Sequence, residues 1–240
     1  MILDRLGPWA DGIILREAEA IDLAIYRAVA ATQSPALDDA MRSLSGAADH
    51  SKLWLAAAAA MAMFGGRAGR RAAVAGVGAI AATSFIVNVP LKILLRRARP
   101  DRIGARVPIA RHVPMPLTNS FPSGHAASGF AFAAAVAGSL PGVAAPLRTI
   151  ASAVGYSRVH TGVHYPGDVI VGSLIGTTVG ESVASLVRRQ ARRHSSRSGR
   201  LPGGEQRDAG IQCGVDGGDA FDLVGRTVDV RHPHAAETEG

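Results

Sequence analysis

Uncharged apolar runs alternate with short basic segments through the middle of the chain. Residues 72–91 carry no charge over the ~20 residues that a straight bilayer crossing requires, and they end at Pro90, just before Lys92. Residues 122–147 predict another span, opening on Pro122-Ser123-Gly124-His125. Residues 149–163 predict a shorter element interrupted by Arg158. Residues 166–187 predict a further span, with Asp168 at its start and Glu181 inside it. Residues 53–66 are apolar but short, with Trp54 at the edge, where an indole favours the membrane interface. Together these runs predict about five membrane-crossing helices.

Residues 11–31 show a different pattern. Ile14, Ala18, Ile21, Ile25 and Val29 recur on one helical face, while Arg16, Glu17, Glu19, Asp22 and Arg27 make a buried span improbable. An amphipathic helix at the interface or capping the bundle fits, as does an ordinary surface helix. Gly172, Gly176 and Gly180 form a four-residue stripe suited to close helix packing. From about residue 190, Arg, Ser, Gly, Asp and Glu replace apolar residues, which predicts a disordered cytoplasmic tail. The expected architecture is an all-α integral membrane bundle. An N-terminal amphipathic helix would occupy 1–34, a membrane domain 35–189 and a polar tail 190–240.

Composition agrees with a membrane chain: 48% of the 240 residues are hydrophobic and only 5% aromatic. The net charge of +7, from 26 Lys+Arg against 19 Asp+Glu, suits anionic lipid or a phosphate substrate. The basic blocks flank apolar runs, and no aromatic-plus-basic stacking surface supports nucleic acid binding. Cys213 is the single cysteine, so neither an internal disulfide nor a thiolate metal site is expected. The N-terminus lacks a basic stretch followed by a clean apolar core, so the first span is expected to direct insertion itself. Arg67, Arg70, Arg71, Arg148 and the arginines at 188–193 fall on one side by parity, which the positive-inside rule makes cytoplasmic. The segment from Lys92 to Arg111 is also Arg-rich, and part of that charge is assigned to substrate binding.

Three polar segments then share the extracytoplasmic side. Ser123 is a good N-cap for the run that follows it, and Gly124 permits close approach of a ligand oxygen to backbone N–H groups. His125 projects from the first turn, where the helix N-terminus disfavours its charged form, so a nearby anion is needed for it to donate a proton. Asp168 can accept from one ring nitrogen of His164, leaving the other lone pair free for a phosphorus atom. Arg158 offers a planar fork for two phosphate oxygens. His160 and His164 have i, i+4 metal-pair spacing but no third clustered ligand, so no metal or other cofactor is expected. His50 and His112 read as boundary or loop residues. Taken singly, Lys92 could be a snorkelling end-cap and Arg99 one more boundary charge beside Arg96, Arg97 and Arg102.

Taken together, Lys92-x6-Arg99-Pro100, Pro122-Ser123-Gly124-His125 and Ser157-Arg158-x5-His164-x3-Asp168 resemble the three-part signature of the type 2 phosphatidic acid phosphatase superfamily. The resemblance covers about residues 35–187. It implies a helical membrane bundle and metal-independent hydrolysis of a phosphate ester or diphosphate. It also implies that His164 becomes a phosphohistidine, Asp168 orients it and His125 protonates the leaving oxygen. Lys92, Arg99, Ser123, Gly124 and Arg158 would hold the phosphoryl oxygens.

Substrates compatible with this reading are polyprenyl diphosphate, phosphatidic acid, phosphatidylglycerol phosphate and a prenyl-phosphate-linked sugar phosphate. The Ala-, Arg- and Gly-rich composition suggests a high-GC bacterium, and relatives from such bacteria act on decaprenyl-phosphoribose phosphate in cell-wall synthesis. Three alternatives stay open: a lipid phosphotransferase, a soluble phosphatase or haloperoxidase of the same signature, and a non-catalytic phospholipid-binding membrane protein. The sequence carries no signal for oligomeric state.

Overall fold

Proline and small polar residues punctuate the chain where the helices begin. Pro35 starts one helix and Pro166 another, each at the first position, where the missing N–H is not needed. A computed structural model describes residues 7–198, with side chains from 15 to 193. Seven helices carry this part: α1 Gly7–Ala31, α2 Pro35–Ala47, α3 Lys52–Phe64, α4 Gly66–Ile86, α5 Gly124–Ala137, α6 Ala144–His160 and α7 Pro166–Ser198. No strand occurs among the described residues. Near Pro90, α4 widens into a π-type turn, Val87–Leu91, and then continues to Leu94. A proline has no N–H for the regular ladder, and the wide turn accommodates that loss.

The hub is α5, whose Ala126, Ala127, Ala131, Phe132, Ala133 and Ala135 are fully buried. The predicted glycine stripe packs against it. A Cβ at Gly172, Gly176 or Gly180 would collide with the carbonyl oxygens of Ser123, Ala127 and Ala131 in turn. On other sides of α5, Gly76 of α4 meets the Phe132 ring, and Gly129 of α5 meets the Trp54 indole. The interior is therefore built from small residues. Many large apolar side chains point outward instead, among them Val74, Phe85 and Val89 on α4 and Ile170, Leu174 and Leu186 on α7. Two helices, Gly66–Leu94 and Pro166–Arg193, are long and apolar enough to cross a membrane, and Gly124–Ala137 is a shorter apolar helix.

Four sequence expectations need adjustment. The run 122–147 is not one span: α5 stops at Ala137 and α6 starts at Ala144, because Gly138, Pro141 and Gly142 make a turn inside a stretch with no charge to mark it. The packed face of α1 is Asp22, Tyr26 and Ala30, while Ile21 and Ile25 of the predicted stripe are exposed. Trp54 is no interfacial anchor. It is buried, with its ring 5.5 Å from that of Phe132. Finally, α7 runs past the expected boundary at 189 to Ser198. The rest of the predicted tail, from 199, lies outside the described residues.

The glycine stripe gives a direct test. Gly176→Ala should lower the Tm of detergent-solubilised protein by several degrees, since overpacking costs about 1–3 kcal/mol. Gly78→Ala, whose Cβ would find only Val183 at 4.0 Å, should leave Tm level or raise it, as expected of Ala in a helix. Thermal unfolding of both variants checks the difference.

Candidate active site

Several separate elements end at one place. The end of α4 supplies Lys92, the irregular segment after it supplies Arg97 and Arg99, and the start of α5 supplies Ser123, Gly124 and His125. The end of α6 supplies Arg158. A tight turn follows, with Gly162 at φ +73°, a left-handed conformation that suits glycine. That turn presents His164, and Asp168 lies in the first turn of α7. Lys92, Arg99, Gly124, His125 and His164 line one cavity of about 210 Å3. Ser123, Arg158 and Asp168 lie buried around that lining.

His164 Nδ1 is 3.3 Å from Asp168 Oδ2, which also accepts from the Tyr165 N–H at 2.9 Å. The other ring nitrogen, Nε2, is 3.4 Å from Arg99 Nη1. Burial holds the imidazole well below its ordinary range, at about 4; Asp168 pulls upward and the guanidinium groups of Arg99 and Arg158 push down. The ring is therefore neutral near pH 7, with Nδ1–H donating to the carboxylate and a lone pair on Nε2. Arg99 donates to the carbonyls of Thr118 at 2.8 Å, Val163 at 2.8 Å and Asn119 at 3.3 Å. Neutral partners fix its fork without cancelling its charge. Lys92 Nζ is 3.3 Å from Thr118 Oγ1, and the Asn119 amide donates to the Lys92 carbonyl at 2.8 Å.

His125 Nε2 is 2.9 Å from Asp49 Oδ1, and the same oxygen lies 3.6 Å from Arg158 Nη1. Arg158 also donates to Ser45 Oγ. Asp49 stands on the sharp connection between α2 and α3, where His50 and Ser51 have φ of 54° and 59°. Ser123 occupies the N-cap position of α5, but its hydroxyl makes no capping bond. Its Oγ and Arg158 Nε are both buried without a partner.

Every predicted site residue is thus in or beside one cluster. The sequence reading missed Asp49, Ser45, Thr118 and Asn119. It also took Arg97 for a boundary charge, yet Arg97 Nη1 donates to Asp168 Oδ1 at 2.8 Å. The acidic partner that His125 requires was foreseeable as a need, but not as Asp49. The spacing of His160 and His164 does not make a pair: His160 Nε2 is 2.8 Å from Asp38 Oδ1, which also holds Arg111 Nε at 2.7 Å. His50, read as a boundary residue, lines the cavity, and His112 reaches the Val107 carbonyl in a loop. Among the described residues, no group of three or more His, Cys, Asp or Glu is placed to hold a metal.

A sequence model of the PAP2 superfamily matches residues 72–192, the stretch that holds all eight predicted site residues. The chain belongs to the PAP2 superfamily. Relatives named decaprenylphosphoryl-5-phosphoribose phosphatase occur in two organisms. The protein from Mycolicibacterium smegmatis is 36% identical over 157 residues, covering 65% of this chain and 82% of that one. The protein from Mycobacterium tuberculosis is 40% identical over 131 residues, covering 55% and 70%.

Among solved PAP2-like structures, LpxE of Aquifex aeolicus aligns with a TM-score of 0.57 at 27% identity, over 68% of this chain and 94% of that one. A transmembrane PAP2-type phosphatidylglycerolphosphate phosphatase from Bacillus subtilis aligns at 0.54 over 74% and 87%, and at 23% identity it speaks to fold alone. Membership and relatives together make this PAP2 protein a membrane-associated lipid phosphatase.

His164 offers a check that needs no substrate. Its ring should stay neutral from pH 8 down to about 5 and take up a proton only around 4, instead of near the ordinary 6.5. Titration of ring-labelled histidine by NMR, with the His164 signal assigned by its loss in His164→Gln, reads this directly.

Proposed function

We propose that this chain hydrolyses a phosphomonoester or diphosphate on a lipid of polyprenyl or glycerolipid type, at the extracytoplasmic face of the cell membrane, through a phosphohistidine on His164 and without a metal. The observation that carries the proposal is His164 itself, with Asp168 3.3 Å from one ring nitrogen, Arg99 3.4 Å from the other, and Lys92 lining the same cavity.

The Nε2 lone pair attacks phosphorus as the bond to the leaving oxygen breaks. His125 gives its proton to that oxygen, and the cations spread over the equatorial oxygens stabilise the developing charge. Lys92, Arg99 and Arg158 supply that charge. Ser123, the Gly124 N–H and the first turn of α5 add neutral donors. Burial and the Arg158 guanidinium hold the His125 ring down as well, to about 4, against the upward pull of Asp49; the substrate phosphate is the second anion that raises it far enough to carry the proton. In the second step water attacks phosphorus, the P–N bond breaks and His125 takes the water's proton.

Decaprenyl-phosphoribose phosphate is the substrate we favour, supported by the two mycobacterial relatives. A long prenyl tail would stay in the bilayer while its phosphate enters the small polar cavity. In this reading α3, α4, α5, α6 and α7 cross the membrane and α1 lies along its surface as the 1–34 region. The membrane domain begins at 35. Small residues inside and large apolar residues outside are what lipid contact favours over water.

His164→Ala should leave less than a few per cent of phosphate release from purified protein, and Arg99→Ala should cost on the order of 10²–10³ in kcat. Chelator should change neither. A His164→Ala protein that keeps substantial turnover overturns the nucleophile assignment, and phosphate release only when an acceptor lipid is supplied would mark a phosphotransferase instead.

Orientation is checked separately in a Cys213→Ser background. Leu117→Cys, exposed in the loop beside Thr118, should react with an impermeant maleimide on intact cells. Gly142→Cys, at the opposite helix ends, should react only after permeabilisation.

A further inference from the structure

Asp22 lies on α1, outside the stretch that matches the PAP2 superfamily. It is nevertheless built into the site. Its side chain is buried, its Oδ2 is 2.7 Å from Arg97 Nη2, and its Oδ1 accepts from the Gly167 N–H at 2.6 Å. Arg97 uses its other terminal nitrogen on Asp168 Oδ1 at 2.8 Å, and its guanidinium carbon sits 4.2 Å from the Tyr165 ring centroid. One guanidinium therefore bridges two carboxylates.

The charge count of that bridge matters. Asp168 and Arg97 alone would form a neutral pair behind His164. With Asp22 added, the three groups carry one net negative charge, and Arg97 is shared instead of being spent on Asp168. When Nε2 of His164 bonds phosphorus, the imidazole becomes cationic, and its Nδ1–H points at Asp168. A net anion behind that ring stabilises the phosphorylated state in a site of low dielectric far better than a neutral pair does.

We propose that Asp22 of the N-terminal helix is a positioning residue for phosphoryl transfer. It holds Arg97 so that the Asp168 carboxylate keeps its charge for His164. The inference rests on reading His164 as the nucleophile, and it makes α1 part of the machinery as well as a surface helix. The other charged or titratable groups around His164 are Arg99 from the segment after α4, Arg158 from α6, His125 from α5 and Lys92 from α4. Tyr165 and Arg97 stand beside Asp168. Of these, a change at Asp22 acts directly on Arg97, which loses one of its two carboxylate partners.

The test uses the full chain in detergent with Asp22→Asn, Asp22→Glu and the double variant Asp22→Asn with Arg97→Gln. Asparagine keeps the acceptor for the Gly167 N–H, so α1 retains its seat. Asp22→Asn should lower kcat roughly tenfold, the lower end of what loss of an outer-layer partner costs at other sites, with KM little changed. The His164 titration in substrate-free protein should move further down. Asp22→Glu, which keeps the charge, should restore kcat to within about twofold of the parent. The double variant should be at least as active as Asp22→Asn, because the cation paired directly with Asp168 is then absent.

Unchanged kcat and an unmoved His164 titration in Asp22→Asn overturn the inference. So does a loss in Asp22→Glu as large as in Asp22→Asn, or a double variant far weaker than Asp22→Asn. The titration reports on the charge behind His164 whatever the nucleophile is, whereas His164→Ala tests the nucleophile alone, so the two failures are told apart.

Discussion

A carboxylate with no exposure to solvent is tolerable only if its lone pairs are met, and Asp168 is that carboxylate. His164, the Tyr165 N–H and Arg97 meet its side-chain oxygens, and its backbone carbonyl accepts from the Ser123 N–H at 2.9 Å. Through these bonds one residue ties together the α6–α7 turn, the start of α5, the irregular segment after α4 and, by way of Arg97 and Asp22, helix α1. Breaking a buried charge pair by removing one partner costs about 3–5 kcal/mol. A surface pair such as Arg42 with Asp39 contributes about 0–1 kcal/mol. The position of His164 is therefore decided around Asp168, and the exposed charges elsewhere matter far less to it.

The helices bring that carboxylate to the right depth because their interior is small. Backbone-to-backbone approach of α7 on α5 through Gly172, Gly176 and Gly180 leaves no room for register slippage by a residue, since a side chain would then enter each contact. Gly172 sits against the Ser123 carbonyl, so the same stripe that packs the helices also fixes the start of α5 against the second turn of α7. Packing and site geometry share one set of contacts. In the proposed mechanism the phosphate chemistry takes place where the starts of those two helices meet.

How much of this was readable in the chain depended on distance along it. The triad of short segments was legible because its residues sit at fixed local spacings beside apolar runs, and each landed in or beside the cavity. The glycine stripe was legible because a four-residue period maps to one helix face. Asp22 and Asp49 were not, because each finds its partner across a gap that no local pattern spans: Asp22 with Arg97 and Gly167, Asp49 with His125 and Arg158. Along helix α2 and its C-cap, Leu37, Met41, Leu44 and Ala48 do recur at helical spacing, but its two buried polar residues, Asp38 and Ser45, find partners far along the chain in Arg111, His160 and Arg158. The face of α1 was misjudged because a distant ion pair, not its apolar stripe, sets its rotation. The Asp22 anchor turns it so that Tyr26 packs on Tyr165, with ring centroids 5.5 Å apart, and the isoleucines are left outside.

The run Arg96-Arg97-Ala98-Arg99 shows how a uniform charge block divides its labour. The segment carries no helix or strand, and burial alternates along it. Arg96 and Ala98 are exposed, whereas Arg97 and Arg99 turn inward to the His164–Asp168 pair. Their partners then set their roles. Arg97 is bound by two carboxylates and has no charge left for a substrate. Arg99 is bound by three neutral carbonyls, which orient its fork while leaving its full charge beside His164 Nε2. In the proposed mechanism a phosphate entering the cavity is therefore drawn to Arg99 and not to Arg97, although the two differ by two positions in one basic run. Composition can count these charges, but only the partner of each guanidinium determines whether it holds the enzyme together or holds the substrate.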